Sequence, residues 1–154
     1  MNVVYINAFI EGSINVLKIM ASIDATPGKP YLKNDLNARG DISGFITFSG
    51  SVTGSLALSF SKSCLAKIIS NMLGEDQESM EMMENAAGEL TNMISGDARK
   101  RLQSQELVIY AGIPTVLSGK NHLIKHVLDG PSIIIPFETP FGEFVADVNI
   151  KDVN

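Results

Sequence analysis

Two runs of alternating apolar residues flank a short polar turn. Ile42, Gly44, Ile46 and Phe48 form the first, Val52, Leu56, Leu58 and Phe60 the second, with Ser49-Gly50-Ser51 between them. A period of two sends successive side chains to opposite faces of a strand, so the pair predicts a β-hairpin with one apolar face. A lone hairpin is marginal in water. The rest of the chain must therefore supply what packs on it.

Helical spacing supplies the cover. Ile6, Phe9, Ile10, Ile14, Leu17 and Met20 predict a first helix over about residues 6–21. Ser61 or Ser63 can cap a second helix carrying Leu65, Ile68, Ile69, Met72 and Leu73, with Gly74 ending it. A third runs from about Ser79 to Leu102 with an apolar stripe of Met83, Ala86, Ala87, Leu90, Met93 and Ile94. Pro27, Gly28 and Pro30 mark TPGKPYLKND as a loop. Three β segments follow the helices: Leu107 to Ala111, Pro114 to Leu117, and Ser132 to Glu138. After a turn at Thr139-Pro140-Phe141-Gly142, a last strand alternates Phe144, Ala146, Val148 and Ile150. The stretch from Gly119 to Gly130 shows neither period. Hairpin-linked strands with grouped helices predict an α/β fold of the α+β type, a mostly antiparallel sheet packed against three helices. A length of 154 residues without repeat or linker predicts one domain over 1–154.

Composition narrows the partners. A net charge of -5 argues against binding a phosphate backbone, so no nucleic-acid partner is expected. Cys64 is the single cysteine, which excludes an internal disulfide and fits a reducing, cytoplasmic setting. The N-terminal MNVVYINAFIEGSINVLKIM lacks a basic leader and is interrupted by Glu11, and no run of about 18 uninterrupted apolar residues occurs. A protein neither secreted nor membrane-spanning is expected.

Chemistry concentrates on the third helix. Glu89 and Asn92 form an E-x-x-N element. At about 100° per residue the two lie about 60° apart, opposite Leu90 and Ile94. Asn85 and Gly96 share that sector and Arg99 borders it. Gly88 and Gly96 flank the pair, and each costs a helix about 1 kcal/mol relative to alanine. Close approach by a partner or by a packing neighbour would account for them. By spacing alone, Glu89 and Asn92 read as ordinary surface residues, because an isolated E-x-x-N is a very weak signal.

Wider segments carry more weight. INAFIEGSINVLKIM, PGKPYLKND, GDISGFITFSGSVTGSLALSFS, IISNMLGE, ENAAGELTNMISGDARKRL and GPSIIIPFETPFGEFVADVNI occur in an order that resembles the chemotaxis phosphatase family of CheX, CheC and FliY, CheX most closely. In that family the helix carries an acidic or serine residue, then Glu four later and Asn three after that. Glu89 and Asn92 match, and Asn85 departs at the first position. CheC-like members repeat the motif on the first helix, but here Glu11 is followed at 14 by Ile14, with Asn15 one step off.

The resemblance implies a phosphatase acting on the phosphoaspartate of a CheY-type response regulator. Asn92 would position the attacking water and Glu89 would pair with the receiver's active-site lysine. Asn85, Gly88, Gly96 and Arg99 would lie at the docking face. It also implies no metal or cofactor of this chain's own, Mg²⁺ in the partner receiver, and a homodimer through sheet edges. The alternatives are a non-catalytic module that sequesters the regulator and a structural component of the flagellar switch.

Other residues have plainer readings. His122 and His126 would form a metal pair only on a helix, and their segment reads as loop or sheet edge. Cys64 lies near a helix start, where a thiolate is favoured, but no nearby His points to nucleophilic use. Met80, Met82, Met83 and Met93 read as packing residues. Arg99, Lys100 and Arg101 suit a helix C-terminus. Asp97 projects near the apolar stripe, which requires a rotated face or a bond to backbone or cation.

Overall fold

The computed structural model describes residues 2–75 and 79–153. Asn2 caps α1 (Val3–Ala21) by accepting from the Val4 N–H at 2.9 Å, so the helix starts three residues before the apolar spacing places it. The segment read as a loop holds two short strands, β1 (Thr26–Pro27) and β2 (Tyr31–Lys33). The predicted hairpin follows as β3 (Ile42–Gly50) and β4 (Val52–Phe60), paired antiparallel from Ile42 against Phe60 to Phe48 against Gly54.

Ser61 is the cap of α2 (Lys62–Leu73), accepting from the Cys64 N–H. Gly74 ends that helix in the left-handed region at φ 76°, where a side chain would be strained. Ser79 caps α3 (Met80–Gln103) by accepting from the Met82 N–H at 3.1 Å. β5 (Ile109–Ala111), β6 (Thr115–Ser118), β7 (Ser132–Thr139) and β8 (Gly142–Asp152) complete the chain.

The eight strands form one antiparallel sheet in the order β1-β7-β8-β4-β3-β5. β2 continues beyond β1 along the outer edge of β7, and β6 lies beside β5 along β3. Phe45 of β3 meets the His126 ring on one face of the sheet, while alternate apolar residues of β3, β4, β7 and β8 on the other share a core with the three helices. Phe137, Phe144 and Phe60 stack in a row there, with centroids 4.8 and 5.3 Å apart. By length and composition α1 could cross a membrane. Here Phe9, Val16 and Leu17 are buried in this core.

Two glycines let α3 sit deep. A Cβ at Gly44 of β3 would overlap the Thr91 Oγ1 and stand 2.7 Å from the Ala87 carbonyl oxygen. A Cβ at Gly12 of α1 would stand 3.3 Å from Ala98 N, the Ile94 carbonyl oxygen and Asp97 Oδ1. So α3 lies directly on the sheet at one point and directly on α1 at another. Thr91 is fully buried and donates its hydroxyl hydrogen bond back to the Ala87 carbonyl at 2.7 Å.

The opposite face of the sheet is also covered. The 119–130 segment crosses it, held at its start by Gly119 N–H to the Asp41 carbonyl and by Ile124 N–H to the Leu36 carbonyl. His122 Nε2 lies 2.7 Å from Ser43 Oγ, which in turn meets Ser59 Oγ at 2.6 Å. His126 reaches Ser55 Oγ through Nδ1 at 2.7 Å and Asp147 Oδ1 through Nε2 at 2.8 Å. Lys33 Nζ pairs with the other Asp147 oxygen at 2.5 Å, both side chains almost wholly buried. The two histidines therefore stand apart as sheet-face anchors rather than as a ligand pair.

Two predictions follow from these contacts. Gly44→Ala should destabilise the fold by about 1–3 kcal/mol through overpacking against Thr91, read as a lower urea midpoint. The second concerns Asp147. Burial pushes its carboxyl up, but hydrogen bonds from His126, Lys33 and Ser132 outweigh that and hold it below the usual carboxylate range. With its folded value below the unfolded one, Asp147 contributes stability that is complete above the ordinary carboxylate value. That stability is lost as pH falls through the folded value. Unfolding free energies across the acid limb should fall less steeply in Asp147→Asn than in the parent, and equal slopes would refute the assignment.

Candidate functional site

The Thr91 contact with Gly44 fixes how α3 is turned. Ala87, Leu90, Thr91 and Ile94 point inward and are buried. Glu89 and Asn92, interleaved with them, are exposed, and Asn85 one turn before is exposed as well. Among the described residues none of these three side chains forms a hydrogen bond or an ion pair. An acid and a carboxamide are thus presented side by side to solvent on a rigid element.

The flanking glycines differ. A Cβ at Gly88 would lie 3.3 Å from Val116 Cγ2 of β6, so its small size has a cause inside the molecule. At Gly96 the nearest atom would be an Arg99 guanidinium nitrogen at 3.9 Å, the mobile end of a long side chain. Close packing within this chain therefore does not account for Gly96. Arg99 folds back along the helix, its Nε donating to Ser95 Oγ at 3.3 Å.

A shallow groove lies at each end of this face. Towards the start of α3 a cavity of about 260 Å³ runs between α2 and α3, with Asn85 and Glu89 in its wall. Towards its end, a cavity of about 330 Å³ is lined by Gly96, Arg99, Lys100 and Gln103 facing Val108 and Tyr110 of the β5 region. The first groove was not anticipated from the sequence. Its one signal there is Leu73, an apolar residue immediately before the Gly74 cap, which is half exposed.

Asp97 finds its reason at the α1 contact. Its Oδ1 accepts from Arg101 Nε at 2.6 Å and its Oδ2 from Asn15 Nδ2 at 2.7 Å. Arg101 also donates to Glu11 at 3.1 Å. Glu11 and Asn15, the residues nearest to a second motif on α1, are thus both tied to α3. Cys64 is buried, and burial pushes its thiol up, so the helix start does not yield a thiolate.

Ser55, His126 and Asp147 follow the order serine, imidazole, carboxylate found in nucleophilic triads. Ser55 is fully buried, accepts the Val127 N–H at 3.1 Å, and its carboxylate partner is already neutralised by Lys33. No substrate reaches that hydroxyl. Sequence reading missed this cluster because Lys33, Ser55, His126 and Asp147 come from four separate segments.

Comparison with known proteins gives a consistent set of likenesses. The profile of the family described as chemotaxis phosphatase CheX matches residues 42–138. A protein of Thermotoga maritima named CheY-P phosphatase CheX is 30% identical over 122 residues, covering 78% of this chain and 79% of that one. A CheC-like superfamily protein from Shewanella sp. PV-4 superposes with a TM-score of 0.89 at 41% identity, over 98% of this chain and 99% of the other. At 24% identity, the fold also matches a chain of the CheX–CheY–BeF3–Mg²⁺ complex from Borrelia burgdorferi. The TM-score there is 0.78, over 96% of this chain and 98% of that one.

The open space at Gly96 yields a direct test. Gly96→Ala should stabilise the isolated protein by up to about 1 kcal/mol, since alanine is the better helix former and its Cβ meets only the Arg99 guanidinium at ordinary van der Waals distance. A fall in melting temperature would show that Gly96 is held small by its own fold.

Proposed function

The chain belongs to the CheX family of chemotaxis phosphatases, and from that premise we propose that it hydrolyses the phosphoaspartate of a CheY-type response regulator. The reading is carried by one observation: Glu89 and Asn92 stand exposed and unbonded on a helix whose rotation the core fixes. The Thermotoga relative bears the name of this activity, and the Borrelia structure holds a CheX with a CheY.

The chemistry asks little of the phosphatase. An acyl phosphate is already labile to water, and positioning plus charge stabilisation accounts for most of phosphoryl-transfer catalysis. The receiver brings the phosphoryl group and a Mg²⁺ that offsets its charge. Asn92 contributes a carbonyl oxygen that accepts a hydrogen bond from the attacking water and an amide that donates to phosphoryl or receiver groups. Glu89 pairs with a lysine of the receiver and sets the helix in place. Gly96 keeps the approach open beyond Asn92, and Arg99 and Asn85 border the contact. No residue of this chain is covalently modified.

The same reading places the protein in the cytoplasm as a homodimer joined through a sheet edge. The β5 side of the sheet carries Tyr110 and the nearby Ile113, 62% and 91% exposed. Burial of such residues would stabilise association.

Asn92→Ala should abolish stimulated loss of phosphate from the receiver while leaving the melting temperature unchanged and binding to a phosphoryl-mimic receiver only modestly weaker. Glu89→Ala should lose turnover and binding together, because one partner of a desolvated ion pair is removed at a cost of about 2–5 kcal/mol. Full phosphatase activity in Asn92→Ala would end the water-positioning assignment. Normal binding in Glu89→Ala would end the docking assignment.

A further inference from the structure

We propose that the groove between α2 and α3 holds an apolar side chain of the docked receiver and so selects which receiver is taken. This rests on the reading of Glu89 and Asn92 given above and extends it to a specificity site. The groove is lined by Ile69, Met72, Leu73, Met82 and Ala86, and its remaining wall is Asn85 and Glu89. A body that covers Glu89 therefore covers the mouth of the groove, and the two contacts form one continuous surface.

Size, lining and charge identify the occupant. At about 260 Å³ the groove falls short of the roughly 300–1,000 Å³ of a site for a drug-sized molecule. It suits a single large side chain. Apart from the Asn85–Glu89 edge its lining is apolar, and Leu73 is left 51% exposed at the end of α2. Unbranched methionines such as Met72 and Met82 adapt their shape to what they meet, as at surfaces that accept related partners. Among the described residues, Glu89 is the one charged residue in the groove's lining. The complementary ligand is therefore an apolar side chain beside a basic one on the receiver surface.

The experiment measures binding and turnover with receivers of the source organism activated by BeF3⁻ and Mg²⁺ or by phosphorylation. Three variants are compared with the parent: Ala86→Leu, which fills the groove; Leu73→Ser, which strips an exposed wall; and Asn92→Ala. Ala86→Leu and Leu73→Ser should each raise Kd and KM about tenfold for the receiver bound best. The rate at saturating receiver should change less than twofold, and the order of preference among receivers should shift. Melting temperatures establish that each variant is folded, and Leu73→Ser decides the matter if Ala86→Leu is destabilised. If both groove variants keep the parent's Kd, KM and preference while Asn92→Ala loses turnover, the groove proposal is overturned and the Glu89–Asn92 site stands. If the parent neither binds nor dephosphorylates any receiver, the site reading falls and the groove falls with it.

Discussion

Thr91 lying on Gly44 sets the rotation of α3 about its own axis, and most of the molecule's arrangement follows from that contact. With Thr91 and Ala87 against the sheet, Leu90 and Ile94 enter the core, and Glu89 and Asn92 can only face outward. Gly12 does the corresponding work on the flank, where α1 comes close enough for Asn15 and Glu11 to reach Asp97 and Arg101. One helix is thus fixed from two directions by residues that have little or no side chain. Packed interiors leave few voids, so a helix seated this closely does not roll.

The two faces of the sheet are stabilised differently. The helix face is an apolar core of stacked phenylalanines and aliphatic side chains. The other face carries Ser43, Ser55, Ser59 and Asp147, buried only because His122, His126 and Lys33 meet them. Buried polar groups without such partners would each cost on the order of 1–3 kcal/mol. The segment 119–130, which has no regular period, is therefore bound to the sheet by specific hydrogen bonds. The same cluster shows that the atom order of a triad is not enough for catalysis. A serine with no exposure and a carboxylate already paired make a structural clasp.

Much of this was legible in the sequence, and the exceptions share a cause. The hairpin, all three helices, a serine cap on α2 at Ser61 or Ser63 (Ser61 in the structure), the Gly74 stop and the outward placement of Glu89 and Asn92 come from local period and local chemistry. β1 and β2 were missed because Pro27, Gly28 and Pro30 signal a loop, while strands of two and three residues have no room to show alternation. The start of α1 was placed late because a cap, rather than an apolar residue, begins it. Asp97 was visible as an anomaly that a cation could satisfy, and Arg101 one turn on does so, but Asn15, its second partner, lies 82 positions away. Gly88 was read with the docking face, yet its nearest constraint is Val116, on a strand that follows the helix by more than ten residues. Contacts of this kind are set by topology and leave no mark in a sequence window.

Glu89 and Asn92 bond to no other described residue, and under the proposed reaction this bears on how unwanted chemistry would be avoided. Under the proposed docking, Glu89 and Asn92 would give up no bond to other described residues, so their cost is chiefly water and side-chain freedom, about 0.5–1.5 kcal/mol each. Nothing beforehand holds those side chains in a reactive arrangement either. The phosphoryl group, its metal and the lysine that orients the helix all belong to the other protein under the proposed reaction. Each half of that active site would be incomplete alone, and a small acyl phosphate in solution would meet only an acid and an amide in water. Discrimination against such molecules would then need no pocket to exclude them, because under the proposed reaction the catalyst exists only while two folded surfaces are in contact.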